Sequence, residues 1–223
     1  MRSAELGFTI VELIILIVIV AIVAVIAIPG LRRSRAISNY GNAEAFLKTI
    51  AIAEWDFRAN DRDGDRVQNF WTGDVAGLYC IRAGPSPSAP SIKLIHLDLA
   101  AADINYCPGY SPSIVAITTQ APSQGYWFQA LRQDLEVGET YGQKGGAGGS
   151  VSGNYFHKER FGFVAYPNSF PSGGRSAGIL NENSFMFRRP LSTHVLPVLG
   201  QDFGRDYCDW PADATLKTFW TKH

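Results

Sequence analysis

The chain has 223 residues, and its 20 basic and 20 acidic side chains cancel to a formal net charge of zero. That balance argues against a nucleic-acid binder, which shows a basic excess or patch. With 46% apolar and only 18% charged residues, the composition is not that of a disordered chain.

The apolar residues crowd into one place. Leu13 to Ile28 is an unbroken run of sixteen residues drawn from Leu, Ile, Val and Ala. Three readings of residues 1–31 compete. A secretory signal peptide needs a basic start and a small-residue cleavage site after the apolar stretch. Here Arg2 is offset by Glu5, and Pro29-Gly30-Leu31-Arg32-Arg33 carries no A-x-A pattern. A plain membrane anchor needs ~20 largely apolar residues, and Phe8 to Leu31 supplies 24. The third reading starts from Glu12. An acid at the centre of a spanning helix costs roughly 2.5–3.5 kcal/mol, less near its end, and such a residue calls for a partner. No basic residue lies one helical turn away, so a partner from another molecule is the economical solution.

Gly7-Phe8-Thr9-Ile10-Val11-Glu12 and the aliphatic run behind it resemble the prepilin signature of type IV pilins and type II secretion pseudopilins. The resemblance covers about the first 50 residues. It implies that a membrane prepilin peptidase removes the leader 1–7 between Gly7 and Phe8, and that Phe8 becomes a methylated amino terminus. Glu12 is then the fifth mature residue, where the family places its glutamate, and Pro29 stands at the family's frequent proline position. The implied partners are identical or related pilin subunits, the peptidase, an inner-membrane assembly platform with its ATPase, and the lipid bilayer. The implied location is the inner membrane before assembly and a periplasmic or extracellular filament afterwards. In such a polymer Glu12 would face the Phe8 amine of a neighbour. Breaking a buried pair of that kind costs ~3–5 kcal/mol. Two features depart from the pattern. The leader has little net positive charge, and Arg32, Arg33 and Arg35 follow the span, where the positive-inside rule favours a cytoplasmic side.

Helical patterning continues over residues 32–60. Tyr40, Ala43, Leu47, Ile50, Ala53 and Phe57 recur at steps of three and four and form one apolar stripe. Pro29 removes a backbone donor, and Gly41-Asn42 are weak helix formers, so a kink or bend is expected at one of them. Asp61, Asp63 and Asp65 then match the first, third and fifth ligand positions of an EF-hand-like calcium loop. The rest does not match: Arg66 replaces the glycine, and Thr72 stands where the bidentate Glu belongs. Asp74 is the candidate late carboxylate and Asn69 a candidate amide oxygen. Calcium is one resolution of this charge at a helix C-terminus; compensation by Arg58, Arg62 and Arg66 is the other.

Residues 61–223 read as a soluble body. Strands are expected at Val75–Arg82 and Tyr126–Arg132, and a meander at Phe161–Tyr166, Ser176–Leu180 and Ser184–Arg188 with its last turn at Asn181-Glu182-Asn183. Residues 137–154 hold seven glycines and read as a loop. Asp213–Trp220 reads as a short helix. The order predicts an α+β fold: a long N-terminal helix whose second half packs on a mostly antiparallel sheet. The aromatic runs Tyr126-Trp127-Phe128, Phe161-Gly162-Phe163 and Phe185-Met186-Phe187 read as sheet core.

Three cysteines cannot all pair within one chain. Cys80 sits in an apolar stretch; Cys107 and Cys208 sit in polar, turn-rich surroundings and form the candidate disulfide, though sequence does not settle connectivity. His96, His157, His194 and His223 show no metal or catalytic spacing, and His157 is expected to face solvent. No P-loop, GxGxxG or G-x-S-x-G is present. The chain is therefore expected to be a structural subunit and not an enzyme. A membrane-tethered binding, adhesin or enzyme module on a pilin-like anchor is the alternative.

Overall fold

The computed structural model describes residues 8–82, 91–105, 117, 119–141, 156–192 and 205–222. Leader residues 1–7, Cys107, His194, His223 and most of the glycine-rich loop lie outside them.

One helix dominates. α1 runs Ile10–Ala59, 50 residues, and stays helical through Pro29, which lacks the backbone donor, and through Gly41-Asn42. At 1.5 Å per residue it is about 75 Å long. Its two halves differ completely. No side chain from Phe8 to Arg35 is buried, whereas the whole predicted stripe from Tyr40 to Phe57 is.

After α1 come β1 Phe70–Trp71, a 3-10 turn Ala76–Tyr79, β2 Ile81–Arg82, β3 Ser91–Ile92 and α2 Leu97–Ala101. Then follow β4 Tyr126–Ala130, β5 Gln133–Asp134, β6 Glu139–Thr140, β7 Phe156–His157, β8 Gly162–Pro167, β9 Ser176–Asn181 and β10 Met186–Pro190. The chain closes with α3 Arg205–Cys208, α4 Asp213–Phe219 and β11 Thr221–Lys222. The main sheet has the order β11-β10-β9-β8-β4, with every neighbouring pair antiparallel. The α+β expectation holds, with one long helix against an antiparallel sheet.

The sheet lies between two cores, and alternation along its strands decides which residue joins which. Tyr126, Phe128, Phe163, Ala165 and Leu180 face α1 and meet Leu47, Ile50 and Phe57. Trp127, Val164, Tyr166, Ala177 and Ile179 face the other way and meet Cys208, Trp210, Leu216 and Trp220 from the C-terminal segment. Burial on both faces explains why β4, β8 and β9 have no exposed residue at all. Two of the aromatic runs are core, as expected; Phe185 of the third is 45% exposed.

The expected strand Val75–Arg82 is mostly wrong. Two carboxylates pull it into a turn. Asp74 Oδ1 accepts the Gly77 amide at 2.7 Å, and Asp103 Oδ2 accepts the Val75 and Ala76 amides at 2.6 and 2.9 Å. Side-chain acceptors satisfy donors that a strand would have given to a neighbour. The last strand is displaced as well, starting at Met186, because Asn181 Oδ1 accepts the Phe185 amide and Ser184 takes a positive φ of 58°. Within residues 137–154, Glu139–Thr140 is a strand paired to β5, not loop.

Candidate functional site

Two features stand out: the bare half of α1 and the acidic turn at its far end. The bare half has a mean hydropathy of 3.4 over its most apolar 18 residues, long and apolar enough to cross a membrane. Phe8 and Ile10 are 73% and 77% exposed, and even the least exposed large residues of the run, Leu13 and Ile28, stand at 49%. Soluble proteins rarely leave so large an apolar area uncovered.

Glu12 sits in the first turn of this rod. Its Oε2 accepts from the Thr9 amide at 3.0 Å and from the Thr9 hydroxyl at 2.7 Å, while Thr9 Oγ1 accepts the Glu12 amide at 3.3 Å. This is a reciprocal capping box at the helix start. Glu12 thus has a partner within its own chain besides any basic group, and Thr9-x-x-Glu12 is itself the sequence signature of the box. Phe8 and Pro29 are both exposed, one just before the rod and one inside it. Gly7, the other processing residue, lies outside the described residues.

At the other end, Asn60 caps α1 and the chain turns through Asp61, Gly64 and Arg66, all at positive φ (45°, 72° and 67°). The turn brings Asp61, Asp63 and Asp65 together, with one carboxylate oxygen of each within 4.8 Å of the others. Arg66 occupies the EF-hand glycine position and adopts the left-handed backbone that glycine would serve there. Asp63 is the least satisfied of the three. Its Oδ1 is buried without a hydrogen-bond partner among the described residues. Partial burial, then the neighbouring Asp65 and Asp61, push its carboxyl up to about 6.

Two of the three arginines named as alternative counter-charges, Arg62 and Arg58, are engaged elsewhere. Arg62 pairs with Asp56 at 2.9 Å, and Arg58 lies over the Trp55 and Phe70 rings. Arg66 gives its backbone amide to Asp61. Three convergent carboxylates suit a hard cation with oxygen ligands. Asp74 and Thr72, from the later part of the motif, are taken up by other bonds. Asp74 is fully buried and holds the 3-10 turn through Gly77 and the Trp71 indole. Thr72 gives its hydroxyl to the Tyr141 carbonyl at 2.6 Å. Asn69 is buried as well.

Asp103 and Glu54 are fully buried carboxylates that no motif announced. Both accept backbone amides: Glu54 that of Trp71, Asp103 those of Val75, Ala76 and Asn105. They hold the chain after the acidic turn against α1 and α2.

His157 is not solvent-facing: its side chain is only 15% exposed. Its ring lies edge-on to Tyr141, and its Nδ1 accepts the Glu159 and Arg160 amides. Of the candidate disulfide, Cys208 is buried in the second core and Cys107 lies outside the described residues; Cys80 is buried in the first. A shallow surface depression of about 520 Å³ is lined by Arg188, Pro190, Thr221 and Lys222. Comparison with protein-family models, with curated proteins and with solved structures gave no match for this chain.

Proposed function

We propose that this chain is a structural subunit of a type IV pilus-like or type II secretion pseudopilus filament. The observation that carries the reading is the division of α1. Its second half is buried under its own sheet, and its first half is bare, apolar and closed by an acid in the first turn. A bilayer would cover such a rod in the stored monomer; the same segments of other subunits would cover it in the polymer. The N-terminal signature supports the second step.

In this reading the prepilin peptidase cuts between Gly7 and Phe8 and frees the Phe8 amine. The amine carries a positive charge on the residue next to Thr9 and its bound Glu12. In a monomer Glu12 keeps its Thr9 cap. In a filament core it would exchange part of that cap for the amine of the next subunit, setting the axial position of each copy. Extraction from the membrane falls to a separate ATP-driven machine, and the chain itself is a substrate of enzymes and not a catalyst. The acidic turn, at the opposite end of α1 from the processed terminus, would hold a divalent cation of the calcium type through Asp61, Asp63 and Asp65.

The test is coexpression with a prepilin peptidase and mass spectrometry of the product. A mature chain beginning at methylated Phe8 is the expected result. A chain still beginning at Met1, or cut downstream of the aliphatic run, would overturn the reading.

A further inference from the structure

The body begins very close to the apolar segment. Leu31 is the last residue of that segment, and Ala36 is the first buried side chain of α1, at 4% exposure. Only residues 32–35 lie between them. Four helical residues rise about 6 Å, and a headgroup layer is roughly 5–7 Å deep on each face of a bilayer. The helix is continuous here and gives no slack. With Phe8–Leu31 in the membrane, the part of the body that covers Ala36 is held at headgroup height.

The topology identifies that part. β9 runs in the same direction as α1. The Gly173 carbonyl, just before β9, accepts the Asn39 side-chain amide at 2.8 Å, and the Glu182 carbonyl, just after it, accepts the Trp55 indole at 3.1 Å. Gly125 abuts the same Asn39 side chain. Among the described residues, the membrane-side end of the body therefore includes the turns 121–125 and 168–175.

Among the described residues, the charges on these segments have one sign. Arg32, Arg33 and Arg35 are exposed on the helix, and Arg175 is exposed at the close of the second turn. There is no Asp or Glu from residue 13 to 43, none in 121–125 and none in 168–175. In a chain of zero net charge this is a local excess. Phe170 stands 37% exposed in the same turn, an aromatic side chain of the type that seats at an interface.

We propose that the body docks on the bilayer surface through a collar of Arg32, Arg33, Arg35 and Arg175, which bind anionic lipid headgroups while Phe170 enters the interface. The inference rests on the membrane-spanning part of the functional reading and not on filament assembly. It gives the three helix arginines a task on the body side of the membrane, where the positive-inside rule would not have placed them. It also gives the stored monomer a fixed orientation, with the acidic turn pointing away from the lipid.

The experiment is hydrogen exchange of residues 168–175 in the full chain, reconstituted in nanodiscs of phosphatidylcholine with or without phosphatidylglycerol. Each arginine at an anionic surface contributes about fivefold to binding. Exchange is expected to slow at least about fivefold in the anionic discs. The slowing is expected to fall away in about 0.5 M salt, where screening shortens to a few ångströms. Arg175→Gln should reduce the slowing, and Arg32→Gln, Arg33→Gln and Arg35→Gln together should abolish it. A chain that does not enter discs of either lipid counts against the membrane reading itself. A chain that enters both, yet exchanges alike in both, overturns the docking. Protection that instead grows with the number of chains per disc in neutral lipid also overturns it, in favour of a contact between copies.

Discussion

The Glu54 carboxylate accepts the Trp71 amide at 2.9 Å from a position with no solvent exposure, tying β1 to α1 across 17 residues. Its second oxygen, Oε1, is buried without a hydrogen-bond partner among the described residues. Burial, and then the charge of nearby Asp74, raise its carboxyl well above the ordinary range, against the pull of the Trp71 amide. The sign of the consequence follows. Above the ordinary carboxylate pKa the unfolded chain has released a proton that the native chain keeps, so stability falls as pH rises. Glu54→Gln keeps the acceptor for Trp71 and removes the titration. The variant is expected to be more stable than the parent at pH 8 by about 1–3 kcal/mol, the cost of a poorly satisfied buried polar group, with the gap closing towards pH 4. Melting temperatures of both chains in detergent across that range check it. A gap independent of pH would show that Glu54 is not the titrating group.

Asp103 makes a sharper demand. Its carboxylate accepts the Val75, Ala76 and Asn105 amides, and it is fully buried. Asp103→Ala leaves several donors without that acceptor and is expected to cost at least about 3 kcal/mol. Asp103→Asn keeps one acceptor oxygen and should cost clearly less. Denaturant midpoints of the two variants rank them, and equal losses would mean that volume, not hydrogen bonding, matters here.

For Glu12 two roles must be separated, because it both caps its own helix and is read as the partner of a neighbour. Thr9→Val removes the hydroxyl of the cap, a loss of about 0.5–2 kcal/mol, but leaves the carboxylate. Glu12→Ala removes the carboxylate. Membrane insertion is expected from both, judged by flotation, and filaments from Thr9→Val only, judged by shearing and electron microscopy. If neither assembles, capping accounts for the effect. If both do, the pairing between subunits fails.

The acidic turn predicts a linked response to calcium and pH. Calcium is expected to raise the melting temperature of the full chain in detergent and EDTA to reverse it. Since Asp63 is raised to about 6, protons should compete with the ion below that pH and weaken its effect. Asp63→Asn relieves the crowding, so it should raise the melting temperature without calcium and abolish the response to it. A response that survives Asp63→Asn places the ion elsewhere.

Periodicity carried much of this molecule. A pure aliphatic run can be only a rod or a deep core, and the stripe at steps of three and four from Tyr40 to Phe57 could bury itself only as a helix against something flat. The alternating aromatics of Tyr126–Ala130 and Gly162–Pro167 supplied the flat surface. These were legible because each depends on neighbours three, four or two residues away. The capping box of Thr9 and Glu12 is equally local and was there to be read.

What local pattern could not reveal was where distant carboxylates would go. Val75–Arg82 looks like a strand until Asp103, some 28 residues from Val75, takes its amides. Asp74 looks like a ligand until folding buries it under the Trp71 indole. The gap of four residues between Leu31 and Ala36, and with it the height of the body above the apolar segment, exists only once the turn at Gly173 has closed on Asn39. Sequence determines which side chains avoid water, because that is a property of each residue and its near neighbours; the tertiary structure decides which polar group meets which, because those partners are brought together only by the fold.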